Sequence, residues 1–380
     1  MKIVLVGGGS GGHFYPLIAV TEALEKIARE KNLIEPEIFY IGPDPFDRSA
    51  LIEHEITYLP SPAGKVRRHP SLMNVFDLGK TGWGILKSTL MLYRLYPDIV
   101  FSTGGFAAFP TLSAARLLQI PVVIYDADAR PGRVSLWSAR FARWIAVAHP
   151  EAAEQFPKKY LEKIASTGHP IRHELEAPAK EGGYEFLKLD AAIPTIFIVG
   201  GSSGARAINE TTLNALPALL EHYNVVHQTG RDNLEEVNEL VGVILKDSRY
   251  ISRYRSFGLL NALALRMTAG VSSLIVSRAG SGTIFEIASW GIPSILIPIP
   301  TEISHDQTEN AFSYARAGAA VVLEQRNLTP HLLVAEIERI MGDQSVHAAM
   351  SEAAQRFARR DAARKIATII VETALPHEPV

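Results

Sequence analysis

Four glycine-rich turns stand out as residues whose type and spacing could bind phosphate. They lie at 7–12, 102–105, 200–204 and 278–283, each directly after a short apolar run. Glycine lets the backbone come close to a bound group, and the start of a helix carries free N–H groups and about +0.5 of an elementary charge. One such turn could be only a tight turn. Four of them in two matched halves predict a site for a phosphorylated ligand.

The first turn also has the spacing of a dinucleotide-binding fingerprint, because Gly7, Gly9 and Gly12 satisfy G-x-G-x-x-G. That fingerprint expects an acidic residue about 20 residues further on, at the end of the second strand. The first acid after that predicted strand, Asp44, comes later than the fingerprint requires. His13 is also unusual directly after the glycines. The pattern therefore disfavours a nicotinamide or flavin cofactor.

Strands and helices must position these turns, and they alternate along the chain. Continuous apolar runs are typical of parallel strands covered on both faces. Strands are predicted at 2–6, 37–41, 98–102, 121–125, 145–148, 195–199, 223–228, 273–276, 294–298 and 320–323. Helical patterns are found at 16–31, 83–96, 111–118, 205–222, 283–290, 305–317 and 331–341. This alternation predicts an α/β fold with parallel sheets.

The chain repeats its opening pattern half-way along. KIVLVGGGSGG at 2–12 and TIFIVGGSSG at 195–204 each run from a strand into glycines. We therefore expect two Rossmann-like domains, at 1–169 and 195–348, joined by a linker at 170–194. A final helix at about 349–374 is expected to pack back on the first domain.

Composition excludes several classes of protein. The 380 residues include 38 basic and 40 acidic side chains, and 47% are hydrophobic, which excludes disorder as the main state. Near-zero net charge gives no indication of nucleic-acid binding. The absence of cysteine excludes disulfides, a thiolate zinc site and a cysteine nucleophile. No apolar run is long enough for a signal peptide or a spanning helix, so a soluble cytoplasmic protein is expected.

The motifs together resemble the MurG family of glycosyltransferases over almost the whole chain. The matching segments, in order, are GGGSGGHFYP (7–16), STGGF (102–106), TGHPIR (167–172), GGSSGARAIN (200–209), HQTG (227–230), SRAGSGTIFEI (277–287) and HDQTENA (305–311). The resemblance implies a GT-B fold, with two Rossmann-like domains, the donor nucleotide on the second, the acceptor on the first and a cleft between. It also implies inverting, metal-independent transfer of N-acetylglucosamine from UDP-GlcNAc to lipid I, giving lipid II for peptidoglycan. UDP-GlcNAc is thus a substrate, and no cofactor is expected.

The resemblance also implies donor-binding residues. Glu286 matches a glutamate that binds both ribose hydroxyls of UDP, while Asp306 and Gln307 match a polar pair that contacts the donor sugar. The family often has another residue at the position of Asp306, which leaves sugar selectivity open. The remaining donor-side matches are Arg172, Ser202, Ser203, Gly204, Arg278, Ser281, Gly282 and Thr283. Of these, Arg278 could equally orient its loop, and the residues at 281–283 could equally cap the helix.

His13 is the leading catalytic candidate, because an inverting transfer needs a base for the acceptor hydroxyl and histidine titrates near neutral pH. It could also bind substrate without taking the proton, or only hydrogen-bond the turn. Asp126 is a second candidate, as the base or as the residue that orients it. Other residues expected on the sugar and acceptor side are Ser10, Gly11, Gly12, Thr103, Gly104, Gly105 and Asp128.

The segment Tyr125–Gly132 departs from the family pattern. The family usually has Glu-Gln-Asn where this chain has Asp126-Ala127-Asp128, so the acceptor contacts are open. Asp-x-Asp also mimics the metal-binding motif of the other glycosyltransferase fold. No metal is expected here, because helix N-termini already offset the leaving-group charge.

A basic and apolar segment at 64–94 is expected to contact a membrane, since the family's acceptor is a polyprenyl-diphosphate-linked muramoyl-peptide. Its basic residues are Lys65, Arg67, Arg68, Lys80, Lys87 and Arg94, and its apolar residues include Leu72, Met73, Val75, Phe76, Leu78, Trp83, Leu86, Leu90 and Met91. Such a mixture suits an anionic leaflet, although a core-facing helix with a charged outer face would give a similar pattern. The expected location is the cytoplasmic face of the cell membrane, as a peripheral protein.

Three alternatives remain open from the sequence. The first is a UDP-sugar transferase with another lipid or small-molecule acceptor. The others are an NAD(P)-dependent oxidoreductase and a UDP-GlcNAc epimerase, which can also have two Rossmann-like domains.

Overall fold

The computed structural model describes residues 1–64, 72–201, 204–300 and 306–375, with the backbone alone at 72–75 and 306. The chain forms two compact units. The first unit is Met1–His173 together with Arg359–Val380, and the second unit is Glu174–Ala358.

Each unit contains one parallel sheet with helices packed on it. The strands are β1 (Lys2–Val6), β2 (Glu37–Gly42), β3 (Thr57–Pro60), β4 (Ile99–Ser102), β5 (Val122–Asp126), β6 (Trp144–Val147), β7 (Ile164–Ser166), β8 (Thr195–Val199), β9 (Asn224–Gln228), β10 (Tyr254–Phe257), β11 (Ser272–Ser277), β12 (Ser294–Leu296) and β13 (Ala320–Val322). The helices are α1 (Gly11–Glu30), α2 (Arg48–Glu53), α3 (Leu72–Leu95), α4 (Phe109–Leu117), α5 (Arg133–Ser138), α6 (Pro150–Glu154), α7 (Gly183–Leu187), α8 (Arg206–His222), α9 (Leu234–Ile244), α10 (Ala262–Val271), α11 (Ser281–Trp290), α12 (Asp306–Arg316), α13 (Pro330–Gly342), α14 (Gln344–Phe357) and α15 (Ala362–Ala374).

The strand orders confirm two Rossmann-like sheets. The first unit has the order β3-β2-β1-β4-β5-β6-β7, and the second has β10-β9-β8-β11-β12-β13. Every pairing is parallel. The direction of winding reverses between β1 and β4 in one sheet and between β8 and β11 in the other. Ligands of such sheets bind outside the carboxyl ends of the strands at these switch points.

The cores explain why the central strands are continuous apolar runs. Ile3 to Val6 of β1 are fully buried, as are the central residues of β8, because helices cover both faces. In the first unit α1 packs against α15, and in the second unit α8 packs against α13. No helix in the described part of the chain is both long enough and apolar enough to cross a membrane.

Two segments differ from their predicted organisation. Of the predicted linker at 170–194, residues 174–194 belong to the second unit, where Trp290 Nε1 donates to the Leu175 carbonyl at 2.8 Å and α7 packs on α10. The prediction of one helix over 349–374 is wrong, because the backbone adopts an extended conformation at Ala358 (φ −62°, ψ 133°) between α14 and α15. Only α15 packs on the first unit, while α14 packs on α11 of the second.

Three buried histidines predict acid sensitivity. Burial lowers the pKa of His149 to about 4, and lowers the pKa of both His169 and His227 to about 3. In the unfolded chain the pKa of each histidine returns to about 6.5, so below that pH the unfolded chain binds protons that the folded chain does not bind. The contribution of these histidines to stability is therefore complete above about pH 6.5 and decreases below it. Each histidine contributes a slope of about 1.4 kcal/mol per pH unit.

The first unit contains two of these histidines and the second contains one, so the first unit is expected to lose stability about twice as fast between pH 6.5 and 4.5. Urea unfolding at several pH values measures the free energy of unfolding as a function of pH. Equal free energies of unfolding of the first unit at pH 7.5 and 5.5 would contradict the predicted acid sensitivity.

Candidate functional site

His13 lies at the switch point of the first sheet. Its Nδ1 is 2.8 Å from the Thr103 carbonyl, at the carboxyl end of β4. A carbonyl only accepts, so Nδ1 carries the proton and Nε2 keeps a lone pair. In return Thr103 Oγ1 donates to the His13 carbonyl at 2.6 Å. The imidazole is therefore held in the tautomer that can accept a proton at Nε2.

The first glycine turn is packed closely between neighbouring strands. A Cβ on Gly7 would lie 2.0 Å from Thr103 Oγ1, so no larger residue fits between β1 and β4. Tyr40 Oη donates to the Gly7 carbonyl at 2.6 Å from β2. These contacts fix the turn on which α1 begins and so fix the position of His13.

The predicted acceptor-side residues of the two glycine turns lie around His13. The Cβ position of Gly105 lies 3.3 Å from His13 Nε2, which places the second glycine turn beside the reactive nitrogen. Gly104 N–H donates to Ser102 Oγ at 3.1 Å. At the start of α1, Ser10 and Gly12 are exposed and Gly11 is partly exposed. The structure thus brings the turns after β1 and β4 together around one histidine.

Asp126 lies at the end of β5 and is 5% exposed. Its carboxylate accepts from Gly132 N at 3.0 Å, from Asp128 N at 3.3 Å and from the Ser135 hydroxyl. Burial raises the pKa of the Asp126 carboxyl, and these three donors together with nearby His13 oppose that rise. Since its oxygens hold the loop that follows β5, Asp126 is better placed to organise this loop than to take a substrate proton.

Arg172, predicted to bind the donor, lies in the first unit. Its guanidinium carbon is 3.9 Å from the ring centroid of Tyr15, on the first turns of α1. The Tyr15 ring packs edge-on against Phe46 with centroids 5.6 Å apart. Stacking on the ring fixes the orientation of the positively charged guanidinium group. Sequence reasoning missed Tyr15, and its place two residues after His13 is the available signal.

The second unit repeats the arrangement at its own switch point. Gly204 adopts φ +72°, and a Cβ there would lie 2.2 Å from the Thr229 carbonyl, so this turn requires glycine. Asn209 donates to the same carbonyl at 3.0 Å and accepts from His227 Nε2 at 3.1 Å. The predicted donor residues Ser202 and Ser203 lie outside the described residues.

Helix α11 starts at the other side of this switch point. Its accessible face consists of Gly282, Thr283 and Glu286, which are partly exposed, while Ser281 and most remaining residues are buried. Residues three and four apart share one face of a helix, so the Glu286 carboxylate lies one turn beyond Thr283. A ligand at the N-terminus of α11 would meet backbone N–H groups first and this carboxylate next.

Arg278 has a structural position. Its Nη1 donates to the Ile297 and Pro298 carbonyls at 3.1 and 3.3 Å, and Nη2 donates to Gln325 Oε1 at 2.7 Å. These contacts tie the turn after β11 to the chain beyond β12. The arrangement favours the loop-orienting role of Arg278 over direct phosphate binding.

Gln307 lies beside the glycine turn that precedes α11. Its Oε1 accepts from Ile299 N at 3.1 Å, and its Nε2 is 4.0 Å from the Cβ position of Gly280. The amide N–H₂ is therefore directed toward the start of α11. Asp306 begins α12, but its side chain lies outside the described part.

The first turns of the helices that follow three of the glycine turns carry no negative charge. Among the described residues α1, α8 and α11 have no side-chain cap and no acid in their first turns. Arg206 and Arg231, at the ends of the turns after β8 and β9, are exposed and have no ion pair with described residues. The carboxyl edge of the second sheet thus presents donors and cations, which suits a diphosphate.

No group of three or more histidine, aspartate or glutamate side chains in the described ranges could hold a metal ion. Of the Asp-x-Asp pair, the Asp126 oxygens are already engaged by the three donors of its loop.

Helix α3 has an unusual arrangement of its faces. The described stripe that is buried consists of Thr81, Gly84, Ser88 and Leu92, and Ser88 Oγ lies 2.8 Å from Ser61 Oγ. Large apolar side chains face outward instead, with Phe76 79% and Trp83 61% exposed. Other exposed apolar side chains on this helix are Leu78, Leu86, Leu90 and Tyr93. Lys65, Arg67 and Arg68 of the predicted membrane segment lie outside the described residues, as do the side chains of Leu72, Met73 and Val75.

Comparisons with known proteins show the family of the chain. Residues 3–147 match the model of the Glycosyltransferase family 28 N-terminal domain, and residues 195–366 match its C-terminal domain. A Treponema denticola relative is 34% identical, covering 87% of this chain and 86% of its own length. One from Halothermothrix orenii is 33% identical over 98% of this chain and 99% of its own length. Both are named UDP-N-acetylglucosamine–N-acetylmuramyl-(pentapeptide) pyrophosphoryl-undecaprenol N-acetylglucosamine transferase.

The fold is similar to a solved structure, the crystal structure of Acinetobacter baumannii MurG. The TM-score is 0.72 at 24% identity, with 98% of this chain and 99% of that chain covered.

Proposed function

This chain belongs to the MurG family of glycosyltransferases, and we propose that it transfers N-acetylglucosamine from UDP-GlcNAc to a muramoyl-pentapeptide on a polyprenyl diphosphate, making lipid II from lipid I. The observation that carries the proposal is the placement of His13 and Glu286 at the two switch points. An imidazole whose Nδ1 is bonded to a carbonyl lies at one, and the start of a helix with a carboxylate one turn further on lies at the other. The family and the GT-B fold make the chain a hexosyltransferase.

The second unit holds the donor in this proposal. N–H groups at the starts of α8 and α11 bind the diphosphate, while Arg206 and Arg231 offset its charge. Glu286 accepts from both ribose hydroxyls, and Gln307 binds a sugar hydroxyl through Nε2. As UDP departs, the negative charge on its terminal phosphate grows. Donors already aimed at that phosphate stabilise this charge without reorganising.

The first unit supplies the base. The acceptor hydroxyl oxygen forms a bond to the anomeric carbon while the bond from that carbon to the UDP oxygen breaks. The hydroxyl proton moves to His13 Nε2, and the electron pair leaves with UDP. The Thr103 carbonyl stabilises the resulting imidazolium through Nδ1–H. One displacement inverts the anomeric configuration.

The outward apolar face of α3 is the proposed membrane contact. A helix that buries hydroxyls and glycine while exposing tryptophan and leucine is arranged for an apolar partner. Lys80, Lys87 and Arg94 on the same helix suit an anionic leaflet. The enzyme would then act as a peripheral protein at the cytoplasmic face of the cell membrane, where its lipid acceptor lies.

Replacing Phe76 and Trp83 together by serine is expected to weaken binding to anionic vesicles by at least about 100-fold, since each inserted ring contributes about 2 kcal/mol. Vesicle sedimentation measures it. The control is Val243→Ser, at a 75% exposed apolar position on α9. Equal binding by the double variant and the control would remove α3 as the contact.

Release of UDP tests the reaction itself. In excess EDTA we expect UDP release from UDP-GlcNAc only when the lipid-linked acceptor is present. Conversion of the sugar without acceptor would indicate an epimerase, and UDP release with another acceptor alone would change the acceptor assignment. Loss of activity in EDTA would show that a metal is required.

A further inference from the structure

The loop after β5 carries two exposed arginines that the reaction as described does not use. Arg130 and Arg133 flank Pro131-Gly132, and neither forms an ion pair or a side-chain hydrogen bond with any described residue. Both are positively charged and lie three residues apart in one loop, and no carboxylate of the described chain is paired with either of them. An anion from outside would supply that partner.

The backbone of this loop is held at several points. Gly132 N and Asp128 N donate to the buried Asp126 carboxylate, and Gln155 Nε2 donates to the Ala129 carbonyl at 3.0 Å. Two residues of the loop itself, Ala129 and Pro131, are buried. The two guanidinium groups therefore extend from a fixed backbone, which reduces the entropy lost when they bind.

One side of the loop adjoins the His13 site. Ser135, whose hydroxyl donates to Asp126, has its Oγ 3.2 Å from the Cβ position of Gly104. The glycine next in sequence, Gly105, is the one beside His13 Nε2.

The other side of the loop leads into helices that pack on α3. Trp137 of α5 packs on Phe109 of α4 with ring centroids 4.7 Å apart. The next residue, Pro110, lies 3.2 Å from the Cβ position of Gly84 on α3. Gly84 belongs to the buried stripe of α3, so α5 and α4 connect the arginine loop to the inner face of that helix, within the same unit as His13.

We propose that Arg130 and Arg133 bind the diphosphate of the lipid-linked acceptor. The inference rests on the proposed function, in which the acceptor sugar reaches His13 while its lipid stays at the membrane. The diphosphate is bonded directly to the acceptor sugar, so it lies close to the His13 site, and guanidinium groups form strong charge-assisted hydrogen bonds with phosphate.

The test is the double variant Arg130→Gln with Arg133→Gln, with Arg140→Gln as a control at an exposed arginine beyond the end of α5. In the double variant we expect KM for the lipid acceptor to rise about 10-fold or more, with KM for UDP-GlcNAc unchanged. The control variant is expected to keep both values. Unchanged acceptor KM in a folded double variant would overturn the proposal.

Farnesyl diphosphate has a prenyl chain and a diphosphate but no sugar or peptide, so its binding tests the diphosphate contact without them. It should compete with the acceptor in the wild type and bind about 10-fold more weakly to the double variant, and replacing both arginines by lysine should restore part of the affinity. Titration calorimetry measures this binding without turnover, so it separates this proposal from failure of the transferase assignment. Equal affinities in the wild type and the double variant would contradict the proposal.

Two further measurements distinguish the diphosphate from other anions. If vesicles of anionic lipid lacking the acceptor bind the double variant much more weakly than the wild type, the arginines contact membrane headgroups and the proposal fails. If amidating the peptide carboxylates of the acceptor reproduces the KM of the double variant in the wild type, the ligand is the peptide. We expect neither change.

Discussion

Replacing His13 by alanine is expected to lower kcat for transfer by about 10²- to 10⁴-fold, the usual contribution of a positioned general base. The Thr103 carbonyl holds Nδ1–H at 2.8 Å, so the lone pair on Nε2 is available to the acceptor hydroxyl. No donor-binding role is assigned to His13, so affinity for UDP should not change. Steady-state kinetics with saturating substrates and titration calorimetry with UDP measure the two quantities.

A matched control for this substitution is His331→Ala, at an exposed position on α13. His13→Gln adds a second comparison, because glutamine keeps a polar side chain of similar length but is not a base at neutral pH. Near-normal kcat in either His13 variant would show that another group takes the proton. Asp126→Ala should instead lower the melting temperature, because three donors of the loop after β5 lose their acceptor.

Replacing Glu286 by glutamine is expected to raise KM for UDP-GlcNAc by about 10- to 100-fold with kcat largely recovered at saturating donor. The carboxylate accepts from two ribose hydroxyls in our proposal, and glutamine has one accepting oxygen and no charge. Those contacts are the same in ground and transition states, so the loss appears in binding. The control is Glu239→Gln on the exposed face of α9.

2′-Deoxy-UDP makes the Glu286 test specific. The wild type should bind it more weakly than UDP, while Glu286→Gln should bind the two nucleotides with nearly equal affinity, because the contact to that hydroxyl is already weakened. If the variant discriminates between the nucleotides as strongly as the wild type does, Glu286 does not contact the ribose.

The central strands were predictable from the sequence because they are buried on both faces. The strands that were missed, β3, β7 and β10, are edge strands of their sheets. An edge strand has only one neighbour, and Thr57–Pro60 carries partly exposed and exposed residues without an apolar run. Such partial burial produces no continuous run of apolar residues from which a strand could be predicted.

The glycine turns and His13 were predictable from residue type, but their partners were not. The group that sets the tautomer of His13 is a backbone carbonyl 90 residues away, and every residue type has one. The hydrogen bonds that Arg278 donates to two further backbone carbonyls could not be predicted either. Tertiary contacts of the backbone therefore decide which polar residues stay available to ligands.

The break between α14 and α15 has a similar origin. Apolar residues continue at helical spacing across 349–374, so local pattern favours one helix. The structure breaks it at Ala358 because α14 packs on α11 while α15 packs on α1. Which core a helix joins is a long-range property that its own sequence does not encode.

The most direct measurement follows isotopically labelled N-acetylglucosamine from UDP-GlcNAc in the presence of the polyprenyl-diphosphate-linked muramoyl-pentapeptide. We predict that label enters the lipid fraction in a one-to-one ratio with released UDP, in the inverted anomeric configuration, and only when acceptor is present. Label that stays in the water-soluble fraction while UDP is released, or that appears in an epimerised sugar without acceptor, would contradict the assignment.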